Sequence, residues 1–160
     1  MEKIIGIRRE DKNRWERRVP LIPEHVKELK EKFGIKTIVQ PSTLRIFPDQ
    51  AYADAGAIIS EDLGPAKLIL AVKEIPMELF EEGKTYVFFS HTIKGQHYNM
   101  NMLRKLMELN CNLVDYERIV NEKNQRSIFF GRYSGVDGMI DTLHAYCQKM
   151  KLWGYDNPFQ

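Results

Sequence analysis

The chain has 160 residues, which is within the usual size of one domain and long enough to bury a hydrophobic core. Hydrophobic residues make up 43% and charged residues 29%, and the 24 basic and 22 acidic residues are scattered along the chain. No block of one sign therefore predicts a nucleic-acid or membrane surface, and no apolar run approaches the roughly 20 residues that cross a bilayer.

The first predicted elements are a short strand and a helix. The apolar run 4–7 predicts the strand, which stops at the charged "RRED". Pro23 suits the first position of a helix, and Gly34 suits its end. One apolar stripe at helical spacing lies between them, formed by Val26, Leu29 and Phe33.

The middle of the chain predicts further strands and helices in alternation. "KTIVQPS" predicts a second strand, and Pro48 opens a short helix that Gly56 ends before "AIIS". The run 68–72 is apolar on both faces, as in a central strand of a parallel sheet that is covered by helices. "TYVFFSH" repeats that pattern, and a helix around 100–109 follows it.

The last third predicts a hairpin and a long helix. "NLVDYERIV" and "RSIFFG" resemble two strands joined by the polar "NEKNQ". A helix over 134–153 carries one apolar face, which we attribute to packing and which consists of Val136, Met139, Ile140, Leu143, Cys147 and Met150. The alternation as a whole predicts an α/β fold of the flavodoxin or Rossmann type, with a mostly parallel sheet flanked by helices.

Polar residues that directly follow the predicted strands are the candidates for chemistry, because ligands of open α/β sheets bind beyond the carboxyl ends of the strands. Arg8 and Arg9 follow the first strand, Lys73 follows "LILAV", and His91 follows "YVFF" by way of Ser90. Lys73 is either a solvated charge or a general acid or base. His91 is either a proton carrier or a structural donor to a neighbouring carbonyl group.

Two other segments allow less specific interpretations. "RREDKNRWERR" is either a mixed-charge surface loop or the source of one arginine that binds a carboxylate. "GRYSGVDG" spaces Gly131, Gly135 and Gly138 as GxxxGxxG, which does not match the dinucleotide-binding GxGxxG and favours a helix entry with close backbone packing. A nucleotide would therefore have to be bound by another chain or by sequence outside this one.

Cysteine usage and the N-terminus bear on the compartment. Cys111 and Cys147 have no CxxC or Cys/His ligand spacing, so we expect free thiols in a reducing compartment and no metal site. The N-terminus becomes charged too early for a signal peptide. We expect an intracellular, cytoplasmic protein, or a mitochondrial one if a transit peptide has been removed.

Several segments, in order, resemble a known family. "RREDKNRWERRVPLIPEHV", "LILAVKEIP", "FFSHTIKGQ", "LVDYERIV" and "FFGRYSGVDGMIDTLH" are similar to the N-terminal domain shared by alanine dehydrogenase, the transhydrogenase alpha subunit and lysine-forming saccharopine dehydrogenase. Within this group the chain most resembles the lysine-ketoglutarate reductase part of aminoadipic semialdehyde synthase. The resemblance implies an oxidoreductase that interconverts lysine plus 2-oxoglutarate and saccharopine with NAD or NADP.

The resemblance also implies roles for particular residues. Lys73 and His91 match the two proton carriers of the family, and Glu74 and Glu117 match the carboxylates that tune their pKa values.

Two arginines match the substrate-side cations of the family. Arg18 matches the arginine of an "RV(A/P)LIP"-like motif that binds a substrate carboxylate, and Arg126 matches a second cation on the substrate side.

The implied organisation is a substrate and catalytic domain over 1–133 and a connector helix over 134–153. The Rossmann domain that binds the cofactor in the family is absent from this chain, so we expect the chain to need that domain, in a longer protein or a separate subunit, for turnover. Two alternatives are an alanine dehydrogenase or transhydrogenase-type domain, and a non-catalytic binding module of the same fold.

Overall fold

The computed structural model describes residues 2–156 and shows a six-stranded, all-parallel sheet in the order β3-β2-β1-β4-β5-β6. The strands are β1 (Ile4–Ile7), β2 (Lys36–Val39), β3 (Ile58–Ile59), β4 (Leu68–Leu70), β5 (Thr85–Phe88) and β6 (Asn112–Asp115). The helices are α1 (Pro23–Phe33), α2 (Asp49–Asp54), α3 (His97–Glu108) and α4 (Gly131–Leu152), with 3-10 turns at Met77–Leu79, Thr92–Lys94 and Tyr116–Arg118. The predicted α/β fold with a parallel sheet is confirmed.

Helix α1 begins and ends where its sequence predicts. Pro23 occupies its first turn, and Gly34 follows its last residue with a left-handed φ of 63°. The N–H of Gly34 donates to the carbonyl oxygen of Lys30 at 3.1 Å, which closes the helix in a conformation that glycine adopts without steric cost. Of the predicted stripe, Val26 is buried in the core whereas Phe33 is exposed.

The sheet buries side chains on both faces. Ile38 and Val39 belong to different hydrophobic clusters because successive residues of a strand point to opposite faces. The cluster that contains the buried residue of α1 consists of Ile7, Val26, Val39, Tyr52 and Ala55. The other cluster consists of Ile38, Leu63, Ala66, Ile69, Ala71, Ile75, Phe80, Tyr86, Phe88, Met102 and Leu106. The central strands are therefore apolar on both sides, as the sequence predicts.

Strand β4 is shorter than the predicted run 68–72. Its last ladder bond with β1 joins the N–H of Arg8 to the carbonyl oxygen of Leu70 at 2.9 Å. The N–H of Val72 instead donates to the side chain of Glu10, so the strand ends two residues early on its β1 side.

The predicted hairpin is wrong. "NLVD" forms the parallel strand β6 beside β5, and the carboxylate of Asp115 then accepts the N–H of Glu117, which starts a 3-10 turn. Only one antiparallel bridge, between Val120 and Arg126, remains of the expected pairing within residues 2–156, and 128–130 are not a strand. The side chain of Asn121 accepts the N–H groups inside the connecting turn, which closes it locally instead of extending a ladder.

The structure contains two compact units, one up to Ile119 and one from Val120 onward. The predicted division between 133 and 134 stays a prediction, but α4 itself begins at Gly131, three residues before the expected start, and ends at Leu152, one before the expected end. The interpretation of its apolar face as packing is wrong for four members: Val136, Met139, Ile140 and Leu143 are 45% to 60% exposed. Among residues 2–156 these side chains are therefore only partly covered, whereas Cys147 is buried.

The glycines of "GRYSGVDG" lie in the first turns of α4, so the predicted helix entry is confirmed. The predicted close packing is not found, because a methyl group built on Gly135 or Gly138 would meet no atom of the described chain within 4 Å. In the part of the chain that the structure covers, no helix is long and apolar enough to cross a membrane.

Gly6 provides a test of the packing between β1 and β4. A methyl group at Gly6 would lie 2.8 Å from Ile69 Cδ1 and 3.2 Å from Ala66 Cβ, both in the core. We expect Gly6→Val to lower the free energy of unfolding by about 1–3 kcal/mol, measured by urea denaturation, because the core has no room for the new atoms. Gly135→Ala is the control and should not destabilise the chain. An unchanged urea midpoint for Gly6→Val would contradict this packing.

Candidate functional site

The candidate site lies at the carboxyl edge of the sheet. Because β1, β4, β5 and β6 are neighbours and parallel, the segments that follow them meet at one edge. Glu10, Lys73, His91 and Glu117 lie in these four segments. A cleft of about 590 Å³ opens on the β2 side of Glu10, with the segment 41–44 opposite, and Lys73, His91 and Glu117 are not among the residues that line it.

Glu10 is a buried carboxylate that the sequence reasoning missed. It is 7% exposed and accepts the N–H of Val72 at 2.6 Å and the N–H of Lys73 at 2.9 Å. Burial raises the pKa of Glu10, and the two N–H groups offset only part of that effect. The sequence contained one signal, a carboxylate three residues past the end of a predicted strand, but Arg8 and Arg9 are closer to the strand end and were the predicted candidates.

Arg18 is held by a second buried carboxylate. Its Nε donates to Glu16 Oε1 at 2.8 Å and its Nη2 donates to Glu16 Oε2 at 2.6 Å, so the pair is bidentate. Burial would raise the pKa of Glu16, but the bonds and charge of Arg18 outweigh it, so the pKa lies below its ordinary value. With Arg8, Glu10 and Glu16 all buried, "RREDKNRWERR" is more than a mixed-charge surface loop.

Lys73 is half-buried near the same carboxylates. The charge of Lys73 also lowers the pKa of Glu16, and the charge of Glu10 raises the pKa of Arg18, so these four residues form one electrostatic group. Within residues 2–156 the Lys73 ammonium has no hydrogen-bond or ion-pair partner. Glu74, its predicted tuning group, instead accepts from Lys12 Nζ at 2.5 Å.

His91 has a left-handed backbone, with a φ of 54° that costs free energy for a residue with a side chain. The surrounding bonds hold this conformation. The Ser90 hydroxyl donates to the carboxylate of buried Asp115 and accepts the N–H of Thr92 at 3.2 Å. The side-chain amide of Asn99 donates to the carbonyl oxygen of Ser90 at 2.9 Å, so the carbonyl group before His91 and the N–H group after it are both held.

The His91 ring contacts Glu117, whose predicted role as a tuning carboxylate stays a prediction. Nδ1 of His91 lies 3.3 Å from Glu117 Oε2, and Lys94 Nζ lies 3.3 Å from Glu117 Oε1 and 3.4 Å from His91 Nδ1. Burial would raise the pKa of Glu117, but the bonds and charges of His91 and Lys94 together lower it. Glu117 is therefore an ionised carboxylate at neutral pH that contacts both the imidazole and the Lys94 ammonium.

Two aromatic rings connect the lysine and histidine halves of the site. Phe89 stacks on His91 with ring centroids 6.4 Å apart and contacts Tyr116 at 5.0 Å. Burial, with a smaller effect from the charge of Glu10, raises the pKa of Tyr116. Tyr116 is thus affected by the charge of Glu10 and contacts the ring of Phe89. The sequence analysis did not identify Tyr116 as a site residue.

Arg126 lies in the second unit and is exposed. Its guanidinium donates to the carbonyl oxygen of Ile128 at 3.4 Å. Its role toward substrate stays a prediction. In the described part of the chain, no group of three or more His, Cys, Asp or Glu side chains is placed to hold a metal ion.

Comparison with known proteins identifies similar sequences. The family model described as "Alanine dehydrogenase/PNT, N-terminal domain" matches residues 6–137. The mitochondrial alpha-aminoadipic semialdehyde synthase of Mus musculus is 44% identical over 156 residues, which are 98% of this chain and 17% of the relative. The alpha-aminoadipic semialdehyde synthase of Arabidopsis thaliana is 42% identical over 161 residues, covering 98% of this chain and 15% of that protein. The chain therefore spans less than a fifth of the length of these relatives.

More distant relatives and solved structures agree with this placement. The saccharopine dehydrogenase [NAD(+), L-lysine-forming] of Yarrowia lipolytica is 30% identical over 77% of this chain and 34% of its own length. An L-alanine dehydrogenase structure superposes with a TM-score of 0.64 at 22% identity, covering 76% of this chain and 34% of the other. A transhydrogenase structure from Sinorhizobium meliloti superposes with a TM-score of 0.60 at 20% identity. This match covers 76% of this chain and 35% of the transhydrogenase chain. These two structures support the fold.

The carboxylate of Glu117 provides a pH test of the His91 cluster. Because its pKa in the folded chain lies below its ordinary value, it stabilises the fold above that value and loses this effect as the pH falls through the folded pKa. We expect Lys94→Met to raise the pKa of Glu117, and His91→Gln to raise it as well, measured from the carboxyl carbon shift by NMR. Lys67→Met, at the opposite edge of the sheet, is the matched control. A Glu117 pKa that Lys94→Met leaves unchanged would refute the contact.

Proposed function

The chain belongs to the alanine dehydrogenase/PNT N-terminal domain family, and from this premise we propose that it is the substrate domain of a saccharopine-forming oxidoreductase. The proposed reaction interconverts lysine plus 2-oxoglutarate and saccharopine, with a nicotinamide cofactor as the hydride carrier. Identity to the two semialdehyde synthases over nearly the whole chain supports this substrate class over alanine or a transhydrogenase role. The name of the mouse relative also supports the mitochondrial alternative for the compartment.

The observation that carries the proposal is that an amine and an imidazole follow adjacent strands, and that the amine has no hydrogen-bond or ion-pair partner among residues 2–156. Lys73 follows β4, His91 follows β5, and the N–H of Phe89 donates to the carbonyl oxygen of Val72 at 3.1 Å, which ties the two segments together. Condensing an amine with a keto acid requires a proton to leave the nitrogen and another to reach the carbinolamine oxygen before water departs. Lys73 and His91 are the two groups that we propose move these protons.

The neighbouring charges suit an amino acid and a dicarboxylic keto acid. Arg18 is 44% exposed while Glu16 fixes the plane of its guanidinium, which favours binding of a carboxylate in one orientation. The Glu117 carboxylate, 3.3 Å from His91 Nδ1, orients the imidazole for proton transfer. We propose Arg126 as a second cation on the substrate side. We propose that Glu74 acts on Lys73 less directly than the family resemblance implies, because its carboxylate is paired with Lys12.

We propose that the nicotinamide cofactor is bound outside the residues of this chain. The sequence has no GxGxxG segment, and the glycines that most resemble one lie inside helix α4. We propose that a Rossmann domain supplied by a longer protein or a second subunit binds it. A titration of the chain alone with NADPH should show no tight binding. Tight binding would overturn the proposal that a separate domain binds the cofactor.

Activity assays test the two proton carriers. The chain is joined to the cofactor-binding part of a semialdehyde synthase, and consumption of NADPH or NADH is followed with lysine and 2-oxoglutarate. We expect Lys73→Met and His91→Gln each to lower kcat by about 10²–10⁴-fold, the usual contribution of a general acid or base.

The matched controls are Lys67→Met, at the amino end of the same strand, and His25→Gln, exposed on α1; both should retain activity. Wild-type turnover that Lys73→Met and His91→Gln leave unchanged would refute the mechanism. Absence of wild-type turnover with these substrates, despite a bound cofactor, would refute the proposed function.

A further inference from the structure

We propose that Glu10 is a positioning residue for Lys73: its carboxylate fixes the backbone from which the Lys73 amine projects. This inference rests on the proposed function for the role of Lys73, but the contact itself is independent of the substrate. Glu10 follows β1, whereas Lys73 follows β4, and the two strands are neighbours at the centre of the sheet.

The carboxylate of Glu10 accepts hydrogen bonds from the segment that follows β4, beyond the point where the strand ladder ends. The last backbone bond between β1 and β4 is the one from the N–H of Arg8 to the carbonyl oxygen of Leu70. Beyond it, Oε1 of Glu10 accepts the N–H of Val72 and Oε2 accepts the N–H of Lys73. A bidentate acceptor on two successive N–H groups fixes the plane of the peptide between them, and hence the direction in which the Lys73 side chain leaves the chain.

The other side of the same segment is tied to the histidine. The carbonyl oxygen of Val72 accepts the N–H of Phe89, two residues before His91. The carboxylate of Glu10, the segment 72–73 and the segment 89–91 therefore form one hydrogen-bonded frame. A shift at Glu10 would move Lys73 relative to His91, and small errors in the placement of reacting groups cost large factors in rate.

A carboxylate suits this position better than an amide. Each of its two oxygens accepts one N–H, whereas a glutamine offers one acceptor and turns an NH2 group toward the second N–H. A buried carboxylate is costly to desolvate, and Glu10 is 7% exposed. The two bonds supply acceptors for N–H groups that the β1 ladder no longer reaches, and they do so at the residue that carries the Lys73 amine.

Kinetics separate positioning from substrate binding. In the joined enzyme, we expect Glu10→Gln to lower kcat about tenfold or more and to leave the KM for 2-oxoglutarate within about twofold, because Lys73 moves protons and does not bind the carboxylates. Glu16→Gln should show the opposite pattern, a raised KM, because it loosens Arg18. Glu82→Gln, which changes an exposed carboxylate in the turn before β5, is the matched control with unchanged kinetics.

Amide hydrogen exchange tests the contact in the chain alone. Glu10→Gln should speed exchange at Val72 and Lys73 by about tenfold or more and leave Ala71, which donates to the carbonyl oxygen of Val87, protected. Unchanged exchange at 72 and 73 would overturn the contact. Faster exchange with wild-type kcat per folded molecule would overturn the positioning role, since that is the result of a purely structural bond.

Glu10→Asp keeps the charge but shortens the reach by one methylene, so it tests the same contact if Glu10→Gln does not fold. We expect it to lower kcat and speed exchange at the same two amides, and wild-type values of both would overturn the proposal. The exchange experiment needs no substrate, so a failure of the proposed saccharopine chemistry would appear as an inactive wild type beside an intact contact.

Discussion

The parallel pairing of β1 with β4 is the constraint on which the candidate site depends. Strand order proceeds from β1 to β2 and β3 on one side and from β4 to β6 on the other, so the connections diverge at this pair. Ligands of open α/β sheets bind at the carboxyl ends where connections diverge, and Glu10, Lys73 and His91 follow the strands on both sides of this point. Gly6 allows the pairing, because its missing side chain leaves room for Ile69 and Ala66 across the strand.

The site is built mostly from buried carboxylates, each of which has named partners. Glu10 bonds backbone N–H groups, Glu16 bonds Arg18, Asp115 bonds Ser90, and Glu117 bonds His91 and Lys94. A buried charge is tolerated only when its partners are in place, so each pair restricts the geometry of the loop that carries it. The rigidity of the edge therefore comes from electrostatics in addition to packing.

Much of the fold follows from local patterns in the sequence. Apolar runs, Pro23 and Gly34 predicted the central strands and α1, and the position of Lys73 and His91 after buried strands placed them at one edge. The hairpin failed because an apolar run becomes a strand only if a partner is available, and partners are distant in sequence. Local patterns could not reveal the role of Glu10 either, because its hydrogen bonds join residues more than 60 positions apart.

The left-handed backbone at His91 does not depend on the His91 side chain. The bonds that hold it come from Ser90, Asp115 and Asn99, none of which involves the imidazole. Glycine and asparagine adopt this conformation more readily than histidine does, so either could replace it with the backbone intact. Replacing His91 by Asn would therefore remove the imidazole and leave the backbone of the loop in place. The side chain at this position can thus change without a change in the architecture of the edge.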